Sequence, residues 1–410
     1  MKKPSWTTTQ GAAILKVVCV MAIASSINGS FLGSAMPAIR ETFGLNYLMG
    51  GQLVTLNSVV SLFTAFLTGY LIEKLGPKAV AIAGILISAV GLAMVGLAPT
   101  ANVLMIGRAV GGLGGSAIYV ASTFMMDRVS TDGRRAQTMY HNSFGVGSMV
   151  SPIIVVLALH FSPMTWRTVP LLVAVLQLAI IPFYLKLDIP KESTTQKAAP
   201  TGAVPRRSPF RSAQLYLLLL LLMVYMAVET AITTWMVTYL QDTGLLNEWV
   251  SQYFMLIFWG VVVVGRTLSL VAGKRFSTEQ ILAVCCGGLM VFLALFLISH
   301  NPLVMVLFLV LMSLFLAPVY PLAVANIGES VGITGRVSST ISIAGGLATT
   351  LMPMIVGGVA DSVGITEGMW LGVAMAVVTA VVAVVNLVYA RKSAARVAPP
   401  PCTPGQSAVE

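Results

Sequence analysis

The chain has 410 residues, 57% of them hydrophobic and only 9% charged, with a mean hydropathy of +0.90 and a formal net charge of +10. Soluble domains carry about 25% charged residues, so this composition excludes a water-soluble globule and leaves a membrane protein. The positive excess calls for no nucleic acid, because the basic residues fall between apolar stretches, where they act as topology signals and touch anionic lipid.

A helix needs about 20 apolar residues to cross the hydrocarbon core. By that measure twelve spans are predicted, starting near residues 12, 46, 78, 102, 137 and 168, then 212, 247, 280, 302, 336 and 366. No small-residue cleavage pattern follows "MKKPSWTTTQGAAILK", so the first span is expected to be retained. The long charge-free run Gln280 to Gly328 holds two spans, divided at "SHNPL" (Ser299 to Leu303). One connection is long and polar, "DIPKESTTQKAAPTGAVPRRSPFR" (Asp188 to Arg211), and its Pro, Ser, Thr and charge content cannot build a core.

These elements predict an all-α membrane protein with twelve transmembrane helices in two pseudo-symmetric six-helix bundles. The expected organisation is a first bundle over residues 1–187, a cytoplasmic linker over 188–211, a second bundle over 212–392 and a disordered cytoplasmic tail over 393–410. With the N-terminus inside, 19 of the 24 lysines and arginines lie on the cytoplasmic side, and only Arg40 and Arg167 lie outside. That asymmetry predicts a multi-pass protein of the cytoplasmic (inner) membrane with both termini in the cytoplasm. A monomer is expected.

Sliding the second half back by 201 residues aligns Tyr119 with Tyr320, Arg135 with Arg336, Gly145 with Gly346 and Pro152 with Pro353. Six helices repeated in the same orientation imply an axis along the membrane normal and a solute site between the halves near mid-depth. The same offset pairs Asn28 in the first helix with Glu229 in the seventh, each near the middle of its span. A charge there costs a few kcal/mol, so such residues face a wet cavity or a partner. Glu229 is therefore either a solute or proton site or a structural hydrogen-bonding group.

Other polar groups could join it. Asn28, Asn57, His141, Asn142, Glu229, Trp235 and Asn326 together supply the amides, the carboxylate and the aromatic face that a sugar needs, since its C–H faces stack while its hydroxyls hydrogen-bond. Trp235 lies some 120° around the helix from Glu229, so it either flanks the cavity or faces lipid. His141 and Asn142 could equally cap or gate the fifth helix. Four cysteines and three histidines show no disulfide or metal spacing, so no metal and no cofactor are expected. Nor does a nucleotide-binding loop ending in glycine-lysine-serine/threonine occur, or a nucleophile, base and acid that could meet in one pocket, so an enzyme is not expected.

"GYLIEKLGPK" (Gly69 to Lys78) falls in the turn between helices two and three, and "GRAVGGLGGS" (Gly107 to Ser116) opens helix four, where Gly111, Gly112, Gly114 and Gly115 suit either an interface that slides or plain close packing. Here the chain resembles the major facilitator superfamily over nearly its whole length. Gly69, Glu73, Lys74, Gly76 and Lys78 are similar to the superfamily's loop signature, with Pro77 where a basic residue is usual, and Arg108 takes the arginine place of the fourth-helix signature. "HNSFGVGSMVSP" (His141 to Pro152), "LFLAPVYP" (Leu314 to Pro321), "GRVSSTISIAGGLATTLMPMIVGGVAD" (Gly335 to Asp361) and "VETAITTWMVTYL" resemble the fucose permease branch of sugar and proton symporters. That branch often carries an acid just after the fourth-helix glycines, where this chain reads "SAIYVAS" (Ser116 to Ser122), which leaves Glu229 as the proton-coupling candidate.

The resemblance implies a secondary transporter, with a sugar or related metabolite taken up with protons as the leading expectation. An exporter of amphipathic compounds is the alternative, although Val155 and Val156 stand where drug antiporters have two glycines. A non-transporting sensor or assembly factor is the reading from another class. Glu73, Lys74, Asp127 and Arg135 are expected to form a cytoplasmic latch that holds the outward-open state. Arg108 either joins this gate or acts as an interface group held by carbonyls or by an acid of the other half.

Overall fold

The computed structural model describes residues 9–129, 133–161, 165–187, 212–272, 276–331 and 335–397, with Ile189 and Phe210. Among them are thirteen helices: α1 (Thr9–Phe43), α2 (Tyr47–Leu75), α3 (Pro77–Gly96), α4 (Ala101–Val129), α5 (Gly133–His160), α6 (Thr168–Lys186), α7 (Ala213–Asp242), α8 (Glu248–Ala272), α9 (Thr278–Ile298), α10 (Pro302–Leu316), α11 (Val319–Val331), α12 (Gly335–Val363) and α13 (Ile365–Val397). Broken at Ala317 and Pro318, α10 and α11 form one span, so twelve segments are long and apolar enough to cross a membrane. The predicted linker falls almost wholly outside the described residues, as does the tail from residue 398. Where the tail was expected to begin, at 393, α13 instead continues to Val397.

Local chemistry sets the turns. Gly76 carries φ 82, a left-handed conformation that only glycine adopts without strain, and Pro77 behind it starts α3 with its φ already helical. Ser277 and Gln280 cap α9 reciprocally, and Asn301 receives the first amides of α10.

Within the first half, α3 packs on α4, α1 on α5 and α2 on α4; in the second, α13 packs on α7 and α9, and α10 on α8 and α9. Of the fourth-helix glycines, Gly112 and Gly114 lie in these seams, while the space around Gly115 is open. A β-carbon at Gly112 would lie 2.6 Å from the Asn57 carbonyl oxygen, and one at Gly114 would meet Ser88 and Gly84 of α3. Close approach at these two positions packs helices of the same half together, which is the plain packing role.

The halves meet mainly through three helix pairs, α1 with α7, α2 with α12 and α5 with α8. Among the described residues their contacts run from one end of the molecule to mid-depth. Along α2 and α12 they extend from Tyr47 and Asp361 to Leu62 and Gly346; along α5 and α8, from His160 and Trp249 to Gly145 and Val263. We call this the sealed end; the opposite end bears the basic connections. Beyond mid-depth α2 exposes Phe63, Phe66, Leu67 and Tyr70.

Glycine makes the seal possible. A β-carbon at Gly51 would lie 2.7 Å from the Pro353 carbonyl carbon and 2.8 Å from Met354 Cα, and Gly33 and Gly357 meet the backbone of α7 and of α2 in the same way. Gly51→Val is therefore expected to wedge α2 away from α12. Overpacking of this kind costs about 1–3 kcal/mol. The reactivity of a cysteine replacing the buried Ser34, in a background without the native cysteines, is expected to rise at least about tenfold. Unchanged protection would show that closure does not depend on this contact.

Candidate functional site

Side chains from six helices surround the middle of the molecule. From α7, the Tyr225 hydroxyl donates to Glu229 Oε2 at 2.5 Å. On α8, Arg266 lies three residues beyond Val263, which touches α5 at Gly145, and next to Gly265, which touches Ala317 at the α10–α11 break. It acts electrostatically on His141 of α5, Tyr225 of α7 and Tyr320 of α11. Tyr119 of α4 stands 5.9 Å from Tyr140, whose ring meets His141 edge-on at 5.7 Å. Asn28 of α1 is half-buried, and its Oδ1 is buried without a hydrogen-bond partner.

We call this partly accessible polar cluster the chamber. Tyr119 is 46% exposed although it lies between the halves, and Glu229, Arg266, His141, Asn142 and Tyr320 are all half-buried. Tyr119 and Tyr320 are partners under the 201-residue repeat, so the pseudo-axis passes between them. Glu229 and Arg266 break the symmetry: their counterparts in the first half are Asn28 and Ala65. The carboxyl and guanidinium side chains of the chamber therefore both come from the second half.

Not every predicted residue reaches it. Asn57 Nδ2 donates to the Arg108 carbonyl at 3.0 Å, and Arg108 Nε donates to the Leu53 carbonyl at 3.3 Å, so the pair joins α2 to α4 inside the first half. Of the two roles open to Arg108, it takes that of an interface group held by a carbonyl. Asn326 receives Gln214 at 3.2 Å and donates to Glu279 at 2.9 Å, tying the ends of α7, α9 and α11 together near the basic end. Trp235 is fully buried in the seal, its Nε1 donating to the Pro353 carbonyl at 3.1 Å and its ring edge-on to Tyr47. It neither lines the chamber nor faces lipid.

The loop signature is split. Lys78 donates to the carbonyls of Leu185 and Leu187, both at 2.7 Å, and so caps α6 of its own half. Glu73 is exposed, as is Lys74, whose ammonium sits 4.5 Å over the Tyr70 ring, and the space around Gly69 is open. The side chains of Asp127 and Arg135 lie outside the described residues.

At the sealed end the sequence reading missed a charged cluster. Arg40 pairs with Asp242 at 2.7 Å and covers the Tyr47 ring at 3.6 Å, while Tyr47 donates its hydroxyl to the same carboxylate at 2.8 Å. Asp361 of α12 accepts the backbone amides of Tyr47 and Leu48, each at 2.8 Å, and Asn46 accepts that of Met49 at 2.9 Å. The first-turn donors of α2 are thus satisfied, two of them by a carboxylate from the other half, where the helix dipole favours negative charge. Thr55, Trp235 and Gln252 donate across the seal to the carbonyls of Thr350, Pro353 and Ser34. Arg266 carried a signal that the sequence reading did not use, a cation within a span. Among the described residues no three His, Cys, Asp or Glu side chains gather as metal ligands.

Two pseudo-symmetric helical halves around a central polar chamber, closed at one end and lined by ionisable groups, define a multi-pass membrane protein of the transporter type. The model of the Major Facilitator Superfamily matches residues 18–339. The chain belongs to that family, whose members are transporters and not enzymes. It is similar to the nucleoside transporter NupG (D323A mutant), with a TM-score of 0.73 at 13% identity over 91% of this chain and 99% of that one. It is also similar to a bacterial homologue of the human lysosomal transporter Spinster in an inward-facing, occupied conformation, with a TM-score of 0.75 at 11% identity over 93% and 97%. Among curated proteins it is similar over short stretches to the MFS-type transporter opaD of Aspergillus ustus, 30% identical over 29% of this chain and 20% of that protein. The multidrug transporter MdtP of Bacillus subtilis is 26% identical over 32% and 24%, and the rubrofusarin-specific efflux pump aurT of Gibberella zeae 26% identical over 35% and 26%. The chain thus spans only about a fifth to a quarter of the length of these curated relatives.

Proposed function

We propose that the protein is a secondary transporter of a small polar solute, working by alternating access and coupled to protons through Glu229. The observation that carries this reading is the cluster of half-buried polar side chains that both repeated halves bring to mid-depth, with inter-half contacts among the described residues running from one end to that level. If the basic end is cytoplasmic, as the charge asymmetry of the loops favours, this conformation faces inward in a cytoplasmic membrane. The exposed Glu73 and Lys74 agree with a cytoplasmic latch released in that state. One chain supplies both walls of the chamber, which supports a monomer as the working unit.

Uptake of a sugar or related metabolite is favoured by the likeness to the fucose permease branch. Tyr119 and Tyr320 replace Trp235 as the aromatic surfaces for it, and Asn28, His141, Asn142 and Glu229 remain as hydrogen-bonding groups. Export of drug-like compounds is the second reading, favoured by the partial matches to a multidrug transporter and to an efflux pump.

A thermal-shift screen of the purified protein tests the proposal, since a ligand of the folded state raises the melting temperature. Sugars, sugar acids, hydroxy acids and lipophilic cations would be compared at acidic and neutral pH, and each hit carried into counterflow with proteoliposomes. Stabilisation and counterflow by a polar solute are expected. Lipophilic cations as the sole hits would favour export, and silence from every class would remove the transporter reading in favour of a sensor.

A further inference from the structure

We propose that His160 makes the seal sensitive to pH, the end of α5 holding α8 more tightly when its imidazole carries a proton. This rests on the alternating-access reading, since it needs a second state in which the sealed end opens.

The contact joins the two halves at the outermost turn of each helix. His160 ends α5, and its ring meets that of Trp249, in the first turn of α8, at 4.3 Å between centroids and 73° between planes. The two rings and Glu248, with Val156 and Leu159, line a cavity of about 90 Å³. His160 is exposed and Trp249 is 39% exposed, so protons from the surrounding water reach the contact.

Histidine is the side chain that changes charge between pH 5 and 8. A cation within about 6 Å of an indole centroid is drawn to the π system, and Glu248 adds an opposite charge from α8, in the same cavity. Both partners belong to the second half. When the halves part at this end, an imidazolium gives up both attractions, whereas a neutral imidazole gives up only an edge-on ring contact. Acid therefore favours the shut seal. The carbonyl end of α5 also attracts a cation, but it does so whether the seal is shut or open, so it does not enter the switch.

The other charges near this end are engaged elsewhere or face water. Of the elements packed on α5 besides α8, α1 brings Arg40, paired with Asp242, and Glu41, which is exposed. Beside the start of α6, Arg167 donates to the carbonyls of Gly96 and Ala98. On α4 the first charge is Arg108, two turns into the helix and bonded to the Leu53 carbonyl. With the basic end in the cytoplasm, the pH that this contact reads is the external one.

Nitroxide labels test this in the full chain in lipid nanodiscs, at Leu97→Cys and Leu303→Cys, exposed positions at the sealed end in opposite halves, with the native cysteines replaced. The ratio of short to long distances, measured by electron double resonance, is expected to rise about three- to thirtyfold between pH 8 and pH 5, the range that an exposed cation–π contact and an exposed ion pair together supply. His160→Gln is expected to remove that rise and His160→Lys to keep the ratio high at both pH values, while Trp249→Leu gives a smaller rise. The difference between parent and His160→Gln isolates this side chain from the ionisable groups of the chamber. A merely structural role would shift the ratio equally at every pH. The same slope in His160→Gln as in the parent overturns the proposal, as does a ratio that falls in acid or a single distance at every pH. His300→Gln, in the α9–α10 connection at the same end, is expected to keep the parent slope; if it alone removes the slope, the sensor is His300 and the proposal fails. Counterflow by the labelled protein separates the failures, because transport with an unswitched seal removes the role of His160 alone, and absence of both transport and a second distance removes alternating access as well.

Discussion

Glu229→Gln is expected to abolish proton-driven accumulation of solute while leaving exchange of solute across the membrane intact. The glutamine carbonyl can still accept the Tyr225 hydroxyl that Glu229 accepts at 2.5 Å, and the amide mimics the protonated acid. The variant is therefore fixed in the form that crosses the membrane loaded. With one proton carried per solute, a one-unit pH gradient, worth about 1.4 kcal/mol, drives wild type to about tenfold accumulation. The variant is expected to stop at equal concentrations inside and out, with counterflow rates that no longer vary with pH. Retention of tenfold accumulation by Glu229→Gln would remove this side chain from the coupling step.

Asp361→Ala is expected to open the sealed end. The carboxylate accepts two backbone amides of α2 at 2.8 Å, and their loss leaves two first-turn donors without a partner at a positive helix end. Charge-assisted bonds of this kind contribute about 1.5–3 kcal/mol each, and water recovers part of that in the open state. A net shift of about 2 kcal/mol changes the ratio of closed to open molecules roughly thirty-fold. Labelling of a cysteine at Ser34, 1% exposed in the closed seam, is expected to accelerate by that factor. Arg40→Met is expected to have a smaller effect, because the Arg40–Asp242 pair is partly exposed and such pairs are worth about 1 kcal/mol or less. If the Arg40 substitution proved the stronger of the two, the seal would be held by the ion pair and not by the capped helix.

The architecture was legible because lipid imposes long apolar spans, and each predicted helix start falls within four residues of an observed one. The repeat was legible too, and it led to Asn28 and Glu229. Facing was not. Asn57 and Asn326 have the polarity of a binding residue, yet each is satisfied by a neighbour within its own half. Only the packed structure distinguishes an amide that bridges two helices from one that awaits a solute. Trp235 was misplaced for a related reason: its angle from Glu229 was known, but not that the same face of α7 enters the seal. The closing cluster was hidden by distance along the chain, since Asp361 and Tyr47 are 314 residues apart and each sits at a helix end, where charge is ordinary.

The seal also has a bearing on which of its positions can drift in sequence. Five of its bonds end on main chain at one side: the carbonyls of Thr350, Pro353 and Ser34, and the amides of Tyr47 and Leu48. Every residue type offers that carbonyl, and all but proline offer the amide. For these bonds the side-chain requirement therefore falls on one side alone, at Thr55, Trp235, Gln252 and Asp361, while the opposing residue contributes only its main chain to that bond. A closure built this way keeps its register through changes that would break one made of matched side-chain pairs.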